Sequence, residues 1–201
     1  MYSRDVPEIR TYVEMTNEGL LDLATFISLT IRSPISLVYP QVLDVRLNRS
    51  NSKYLWGFKR STYEYVSDHQ GTLWVILDYL NRGNIEEALD RSLDIPGFGL
   101  PKAGFFLQCL GGPVGCMDTH NLQRFGYSEK DFKFSKDSSK KVRYSKIEKY
   151  LQACQNVGGS ENLWDSWCSY VSGSRHNERL DTADKVSREH LYCVKGNDRD
   201  L

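Results

Sequence analysis

Residues 95–126, IPGFGLPKAGFFLQCLGGPVGCMDTHNLQRFG, decide the interpretation of this chain. They open on Gly97, Phe98 and Gly99, followed by Ala103, between a predicted short helix and a predicted apolar helix. Two glycines permit a tight turn whose backbone amides can approach an external group closely. Together with the N-terminus of the next helix, these amides suit a phosphate oxygen, and Phe98 is expected to anchor the turn in the core. The alternative is a plain turn between two packed helices.

The second half of the stretch carries one acidic residue, Asp118, in the sequence Met-Asp-Thr-His after a Gly-Gly-Pro loop. A helix is predicted to begin at Asp118 or Thr119 and to end at Gly126. A carboxylate at a helix start can accept a hydrogen bond from the amide of Asn121 and cap the helix. It can also face a cleft and act as a general base or stabilise positive charge. The two roles are compatible.

Outside this stretch the apolar residues also recur at helical spacing. Residues 34–49 are predicted to form a loop or a short helix, and residues 48–53 an exposed turn. Asn84, Ser145 and Ser160 are predicted caps. The predicted helices cover residues 17–32, 71–81, 85–92, 101–110, 118–126, 146–156, 161–172 and 182–194. The fold class is therefore predicted to be all-α.

Charge and cysteine content narrow the classes of function. Lys and Arg together number 26 and so do Asp and Glu, so contact with DNA would have to come from local patches and backbone amides. One local patch is a basic stretch, which either contacts phosphate or forms a solvated surface. Its members are Lys130, Lys133, Lys136, Lys140, Lys141, Arg143 and Lys146. The five cysteines lack close pairing, which argues against zinc and iron–sulfur sites and favours free thiols.

The N-terminus lacks the apolar stretch of a signal peptide, and no run approaches the roughly 18 apolar residues of a membrane helix. We therefore expect a cytoplasmic protein that does not enter the membrane.

The stretch 95–126 resembles the helix-hairpin-helix (HhH-GPD) DNA glycosylase superfamily, which includes endonuclease III, the adenine glycosylase that acts on mispairs, and 8-oxoguanine glycosylase. It looks most like small members encoded by bacteriophages, and it covers about 32 of the 201 residues. The resemblance implies two all-α lobes with a DNA cleft between them, in a bacterial cell or a phage-infected host. One lobe would span about 34–126 and contain the hairpin 95–103. The N-terminal helix and about 127–201 would form the other.

The resemblance implies base-excision repair of double-stranded DNA, with Asp118 as the catalytic carboxylate acting on a flipped nucleotide. In bifunctional relatives a lysine forms a Schiff base with the sugar and then cuts the strand. Aligning the glycines places Pro101 at that lysine's position, and Lys102 lies about 100° further around the helix. Lyase activity of Lys102 and hydrolysis by water both remain open. The residues implied for DNA binding are Gly97, Phe98, Gly99, Pro101, Lys102, His120 and Asn121.

Two alternatives accompany this hypothesis. One is an enzyme that acts on hypermodified bases of phage DNA, and the other is a non-catalytic DNA-binding module that keeps only the hairpin. The resemblance implies no cofactor and no metal, apart from a monovalent cation that could sit at the hairpin.

Several aromatic and polar residues have two open roles. Tyr54, Trp56 and Phe58 could be wedge or pocket residues, although core positions are favoured. Gln108 is expected to be buried with a partner or to contact the base. Trp164 and Trp167, at i, i+3 spacing, are expected to pack in the core.

Overall fold

The computed structural model describes residues 13–31, 33, 35–135 and 137–173. These residues form α-helices joined by loops and one short 3₁₀ turn, Arg49–Asn51, and contain no strand. This confirms the all-α class for the described part of the chain. The helices are α1 (Asn17–Thr30), α2 (Ile35–Asn48), α3 (Phe58–Asp68), α4 (Gln70–Asn81), α5 (Ile85–Ser92), α6 (Leu100–Cys109), α7 (Thr119–Phe125), α8 (Glu129–Phe132), α9 (Lys140–Asn156) and α10 (Gly159–Gly173).

Side-chain caps set several of the helix starts. Thr16 begins α1 by accepting a hydrogen bond from the Gly19 amide at 3.0 Å. Asn84 begins α5 as predicted, with its side chain accepting from the Glu87 amide at 3.3 Å. These caps satisfy amides that have no partner within the first turn of a helix.

Two helices differ from the sequence predictions because long-range packing outweighs local propensity. Helix α2 runs for 14 residues through Pro40, since Val38, Val42 and Val45 form a buried stripe. Helix α3 is absent from the sequence predictions, because its buried face includes a charged residue, Lys59.

The predicted start of α9 at residue 146 is wrong, because the helix begins at Lys140 after Ser139. The helix predicted over 182–194 lies outside the described residues.

The helices enclose one continuous apolar core, to which α1 and α6 contribute many of the fully buried side chains. Helix α1 packs against α2, α3 and α6, while α5 packs against α4, α6 and α9. Helix α10 closes the core from the other side, where Trp164 and Trp167 lie 6.2 and 5.2 Å from the ring of Phe105. The prediction that these two tryptophans pack in the core is confirmed. None of the described helices is long and apolar enough to cross a membrane.

Candidate active site at the hairpin

The turn between α5 and α6 is built from the two glycines at its centre. Gly97 has φ +83°, a conformation that favours glycine, and a Cβ there would lie 3.0 Å from Cδ2 of Phe58. The Thr62 hydroxyl donates to the carbonyl oxygen of Pro96 at 2.6 Å and ties the turn to α3. Phe98 is buried with its ring 6.1 Å from that of Phe106, which confirms its predicted role as an anchor.

Gly99 is the N-cap of α6, and its carbonyl oxygen accepts from the amides of Lys102 and Ala103 at 3.0 and 2.9 Å. Among the described residues, no acceptor receives a hydrogen bond from the amides of Gly97, Gly99 or Leu100. Such donors at a helix N-terminus are the groups that commonly bind phosphate oxygens.

A buried tyrosine holds the loop that leads to Asp118. Tyr150 donates from its hydroxyl to the carbonyl oxygen of Gly115 at 2.6 Å and accepts from the Met117 amide at 3.1 Å. Close packing requires glycine on α6, because a Cβ on Gly104 would lie 2.5 Å from the Gly115 oxygen. The backbone immediately before Asp118 is thus fixed by buried contacts.

The side-chain amide of Gln108 reinforces the same loop. Its Nε2 donates to the carbonyl oxygen of Ser160 at 2.7 Å, and its Oε1 accepts from the Cys116 amide at 3.2 Å. Gln108 is buried with its partners, as the first of its two predicted roles requires, and it does not reach the surface to contact a base.

Asp118 is the N-cap of α7 and is half-buried. Its Oδ1 accepts from the Asn121 amide at 3.1 Å, as predicted. Its Oδ2 has no hydrogen-bond partner among the described residues. One oxygen therefore caps the helix while the other is available to a ligand.

A cavity of about 530 Å³ adjoins both the hairpin and Asp118, and this volume falls within the range of small-molecule sites. Its polar lining comprises Asp94, Lys102, Asp118, Thr119, Glu129, Lys133 and Arg143, and its apolar lining includes Ile31, Leu93, Phe98, Leu122, Phe132 and Phe134. The lining thus offers aromatic and aliphatic surface beside groups that can donate, accept and carry charge.

Lys102 lines this cavity together with Pro101. Its Nζ donates to the Thr30 hydroxyl at 3.2 Å and lies 5.7 Å from the centre of the Phe105 ring. No carboxylate in the described part of the chain forms an ion pair with it. The one-residue displacement from Pro101 thus leaves the amine on the same cavity wall as Asp118.

Two charged residues were not expected beside the hairpin: Glu129 had no predicted role, and Arg143 was placed only in the basic stretch. Glu129 pairs with Lys133 and accepts from the Thr119 hydroxyl at 2.9 Å, and these two partners lower the pKa of its carboxyl group. Arg143 donates to Asp90 at 2.7 Å and to Asp94 at 3.1 Å. The Arg143 contacts join residues 53 and 49 positions apart, whereas the Ser128 capping pattern would have located Glu129 at a helix start.

The prediction that Asn121 contacts DNA is wrong. Its side chain is fully buried, where Nδ2 donates to the carbonyl oxygen of Cys116 at 2.6 Å and Oδ1 accepts from the Ser166 hydroxyl at 2.5 Å. Asn121 instead fastens α7 to α10. His120 is half-buried and is not part of the cavity wall.

Two further groups of residues clarify alternatives left open by the sequence. Trp56 is 52% exposed, so its expected core position is wrong. In the basic stretch, Lys146 donates to the Lys130 carbonyl oxygen at 3.0 Å, and Lys136 lies outside the described residues. Lys133 and Arg143 form the ion pairs described above. Three side chains of the basic stretch are therefore bonded to other residues of the protein.

The described cysteines are thiols rather than disulfides. Cys109, Cys116, Cys154 and Cys168 form no disulfide with one another, and burial raises the pKa of Cys116 to about 12. Across the described ranges, no three His, Cys, Asp or Glu side chains lie together in a way that could hold a metal ion.

Comparison of the chain with protein-family models, with curated proteins and with solved structures gives no match.

Proposed function

We propose that this protein is a DNA glycosylase that cleaves the N-glycosidic bond of a damaged or modified base, with Asp118 as the catalytic carboxylate. The observation that carries the proposal is that the unbonded amides of the hairpin and the unbonded oxygen of Asp118 adjoin one cavity. A DNA strand held by the hairpin amides would present a nucleotide to Asp118. The same cavity offers apolar surface for a base.

The hairpin would hold the DNA backbone without reading its sequence. The amides of Gly97, Gly99 and Leu100 would donate to phosphate oxygens at the positive end of α6. This local mode of binding suits a chain whose positive and negative charges are equal in number. It also requires no base contact from Asn121, whose side chain is buried.

A base inside duplex DNA is out of reach of a carboxylate, so the target nucleotide would be flipped into the cavity. Phe132 and Phe134 on the cavity wall would pack against the faces of the base. We further propose that this cavity is the cleft between the two lobes of the fold, because Ile31, the hairpin and Phe132 all line it.

In the proposed hydrolysis, the bond between C1′ of the deoxyribose and the base nitrogen breaks, and the base leaves with the bonding electrons. Ionised Asp118 would stabilise the positive charge that develops on the sugar. The oxygen of a water molecule then bonds to C1′, and its proton passes to Asp118 or to the departing base.

Lys102 offers a second nucleophile at the same place. A neutral amine could attack C1′ in place of water, and the base would leave with the electrons of the broken C1′–N bond. The C1′–O4′ bond of the sugar would then open as the amine nitrogen loses a proton and O4′ gains one, which gives the Schiff base. Loss of a proton from C2′ and departure of the 3′ phosphate would cut the strand.

The hydrogen bond to the Thr30 hydroxyl holds the Lys102 amine beside the cavity, and no carboxylate among the described residues pairs with it. Borohydride would trap the protein covalently on abasic DNA if the Schiff base forms. Trapping by the wild type that disappears in Lys102→Gln would establish this route. Absence of trapping in the wild type would leave water as the nucleophile.

The test of the proposal is single-turnover base release from a panel of duplexes with damaged, mispaired and modified bases. We expect wild-type protein to release one class of base, and Asp118→Asn to bind the same duplex but release base at least about a hundredfold more slowly. The amide introduced by this substitution would keep the helix cap, because its side-chain oxygen can accept from the Asn121 amide.

The matched control is Asp68→Asn, which alters an exposed carboxylate outside the cavity wall and should leave base release unchanged. Binding without release across the whole panel would contradict the proposal and favour a DNA-binding module. Release by Asp118→Asn at the wild-type rate would contradict the role of Asp118.

A further inference from the structure

One exposed aromatic residue beside the hairpin has no role in the chemistry proposed above. Trp56 is 52% exposed, although its chain neighbour Leu55 is buried. Its indole N–H donates to no acceptor among the described residues. Tryptophan, with an apolar body and a polar tip, is enriched at recognition surfaces.

The backbone presents this side chain outward through a glycine. Gly57 has φ +53° and ψ −132°, a conformation that side-chain-bearing residues rarely adopt, and a Cβ there would meet no atom within 4 Å. Gly57 lies between the exposed Trp56 and Phe58, the first residue of α3, so its backbone conformation sets the direction in which the chain enters the helix.

Trp56 is connected to the hairpin by direct contacts. Its ring centroid lies 6.1 Å from that of Phe58, and Phe58 in turn lies against Gly97. One residue further along α3, the Nζ of Lys59 lies 5.1 Å from the centre of the Trp56 ring. The exposed indole is therefore one side chain, Phe58, away from the hairpin whose amides are proposed to bind phosphate.

Neither Phe58 nor Lys59, which lie against the indole, carries a negative charge. Lys59 is almost fully buried, with Nζ donating to the Leu29 carbonyl oxygen at 3.3 Å and to the Ser33 hydroxyl at 3.0 Å. It forms no ion pair with a carboxylate among the described residues. An exposed aromatic face beside a held phosphate backbone is typical of sites where bases stack.

We infer that Trp56 stacks on an unstacked nucleobase of the DNA strand held by the hairpin. This inference rests on the proposed function in one respect, which is that the protein binds DNA. It does not depend on cleavage of the glycosidic bond, because stacking breaks no bond. Flipping one nucleotide leaves a gap whose neighbouring bases expose their faces. Trp56 would cover one of those faces and so favour DNA in which a base is already unpaired.

The experiment compares binding of two duplexes by fluorescence anisotropy, one fully paired and one carrying a tetrahydrofuran abasic site that cannot be cleaved. We expect Trp56→Ala to bind the abasic duplex about tenfold more weakly, with a smaller loss on the paired duplex. Trp56→Phe should retain most of the affinity, because phenylalanine also stacks. The emission of Trp56 should be quenched when the abasic duplex binds.

Trp74→Ala is the matched control, because Trp74 is also partly exposed at 39% but donates to Asn17 Oδ1 at 2.6 Å, away from the hairpin. This variant should bind both duplexes as the wild type does and keep the quenching. If Trp56→Ala proves unstable, the fluorescence of Trp56 is measured in a Trp74→Phe protein instead. Trp164 and Trp167 are buried, so a decrease in emission when the abasic duplex binds would report on Trp56.

Equal binding by Trp56→Ala and wild type would overturn the inference, as would equal losses in the two alanine variants or failure of the wild type to bind either duplex. Base release with no effect of Trp56 would leave the proposed function intact while overturning the stacking role. Stacking by Trp56 without base release would leave the stacking role intact while overturning the proposed function.

Discussion

At the scale of single residues, the placement of Asp118 depends on a hydroxyl far away in the sequence. Tyr150 lies on α9 and is fully buried, where it bonds to the carbonyl of Gly115 and the amide of Met117. Burial raises the pKa of its phenol well above the usual value, so the hydroxyl remains protonated and can donate. Tyr150 thus positions the loop that leads to Asp118.

We predict that Tyr150→Phe destabilises the protein by about 1–3 kcal/mol, because the Gly115 carbonyl and the Met117 amide lose their buried partner. Base release should slow while the affinity for DNA stays close to that of the wild type. Chemical denaturation and single-turnover kinetics measure the two effects. Tyr65→Phe is the control, because Tyr65 stacks on His69 outside the cavity wall. Unchanged stability and rate in Tyr150→Phe would contradict this role.

The sequence identified Asp118 and the hairpin glycines but not Tyr150. Asp118 and the hairpin glycines are recognisable because a tight turn and a helix cap depend only on residues that are close in sequence. Tyr150 contacts residues 33 and 35 positions away, and such pairing depends on how the helices pack. The closeness of Asn121 to Asp118 in sequence favours a contact with DNA, but the rotation of α7 turns its side chain into the core.

At the scale of helices, a polar network fastens α9 to α5 at the entrance to the hairpin. Arg143 pairs with Asp90, and the hydroxyl of Tyr144 donates to Glu87. This hydrogen bond is the largest cause lowering the pKa of Glu87 from its usual 4.5, and Glu87 raises the pKa of Tyr144 to about 12. The network therefore links the stability of the hairpin's first helix to pH.

The signs of these two shifts define a pH window. The lowered pKa of Glu87 stabilises the fold above its usual value and is lost as pH falls through the lowered one. The raised pKa of Tyr144 stabilises the fold below the usual value of 10.0 and is lost as pH rises towards about 12. The pair thus stabilises the folded protein most between about pH 5 and pH 9.

We predict that Tyr144→Phe lowers stability by about 1 kcal/mol within that window, a modest figure because both side chains are near the surface. The difference in melting temperature between variant and wild type should shrink as the pH falls below 4.5, the usual pKa of a glutamate, and Glu87 becomes protonated. Thermal unfolding followed by circular dichroism across pH measures it. A difference that does not change between acidic and neutral pH would contradict a role for the charge of Glu87.

Helix prediction succeeded where one apolar face and local caps agree, and failed where packing dominates. Helix α5 matches its predicted bounds, because Asn84 caps it and its apolar residues share a face. Helix α2 passes through Pro40, a residue that ordinarily ends helices. Its valine stripe against α1 compensates, and that contact is not visible in the local sequence.

At the scale of the whole molecule, the cavity is assembled from distant parts of the chain. Ile31 at the end of α1, the hairpin before α6, Asp118 before α7 and Phe132 on α8 all reach it. The sequence located the hairpin and Asp118 in one continuous stretch, but nothing local indicated that Ile31 or Phe132 would complete the wall. Because the whole chain has no net charge, the proposed DNA binding would depend on local groups such as those at this cavity.

The measurement that tests the central claim most directly is an amide chemical-shift titration of the full chain with the uncleavable abasic duplex. The account predicts the largest shifts at the amides of Gly97, Gly99 and Leu100, together with Thr119 beside Asp118. Gly126, which also has a positive φ but no neighbour within 4 Å of a Cβ, should shift little. Binding that moves other amides and leaves the hairpin unchanged would contradict the account, and so would an absence of binding.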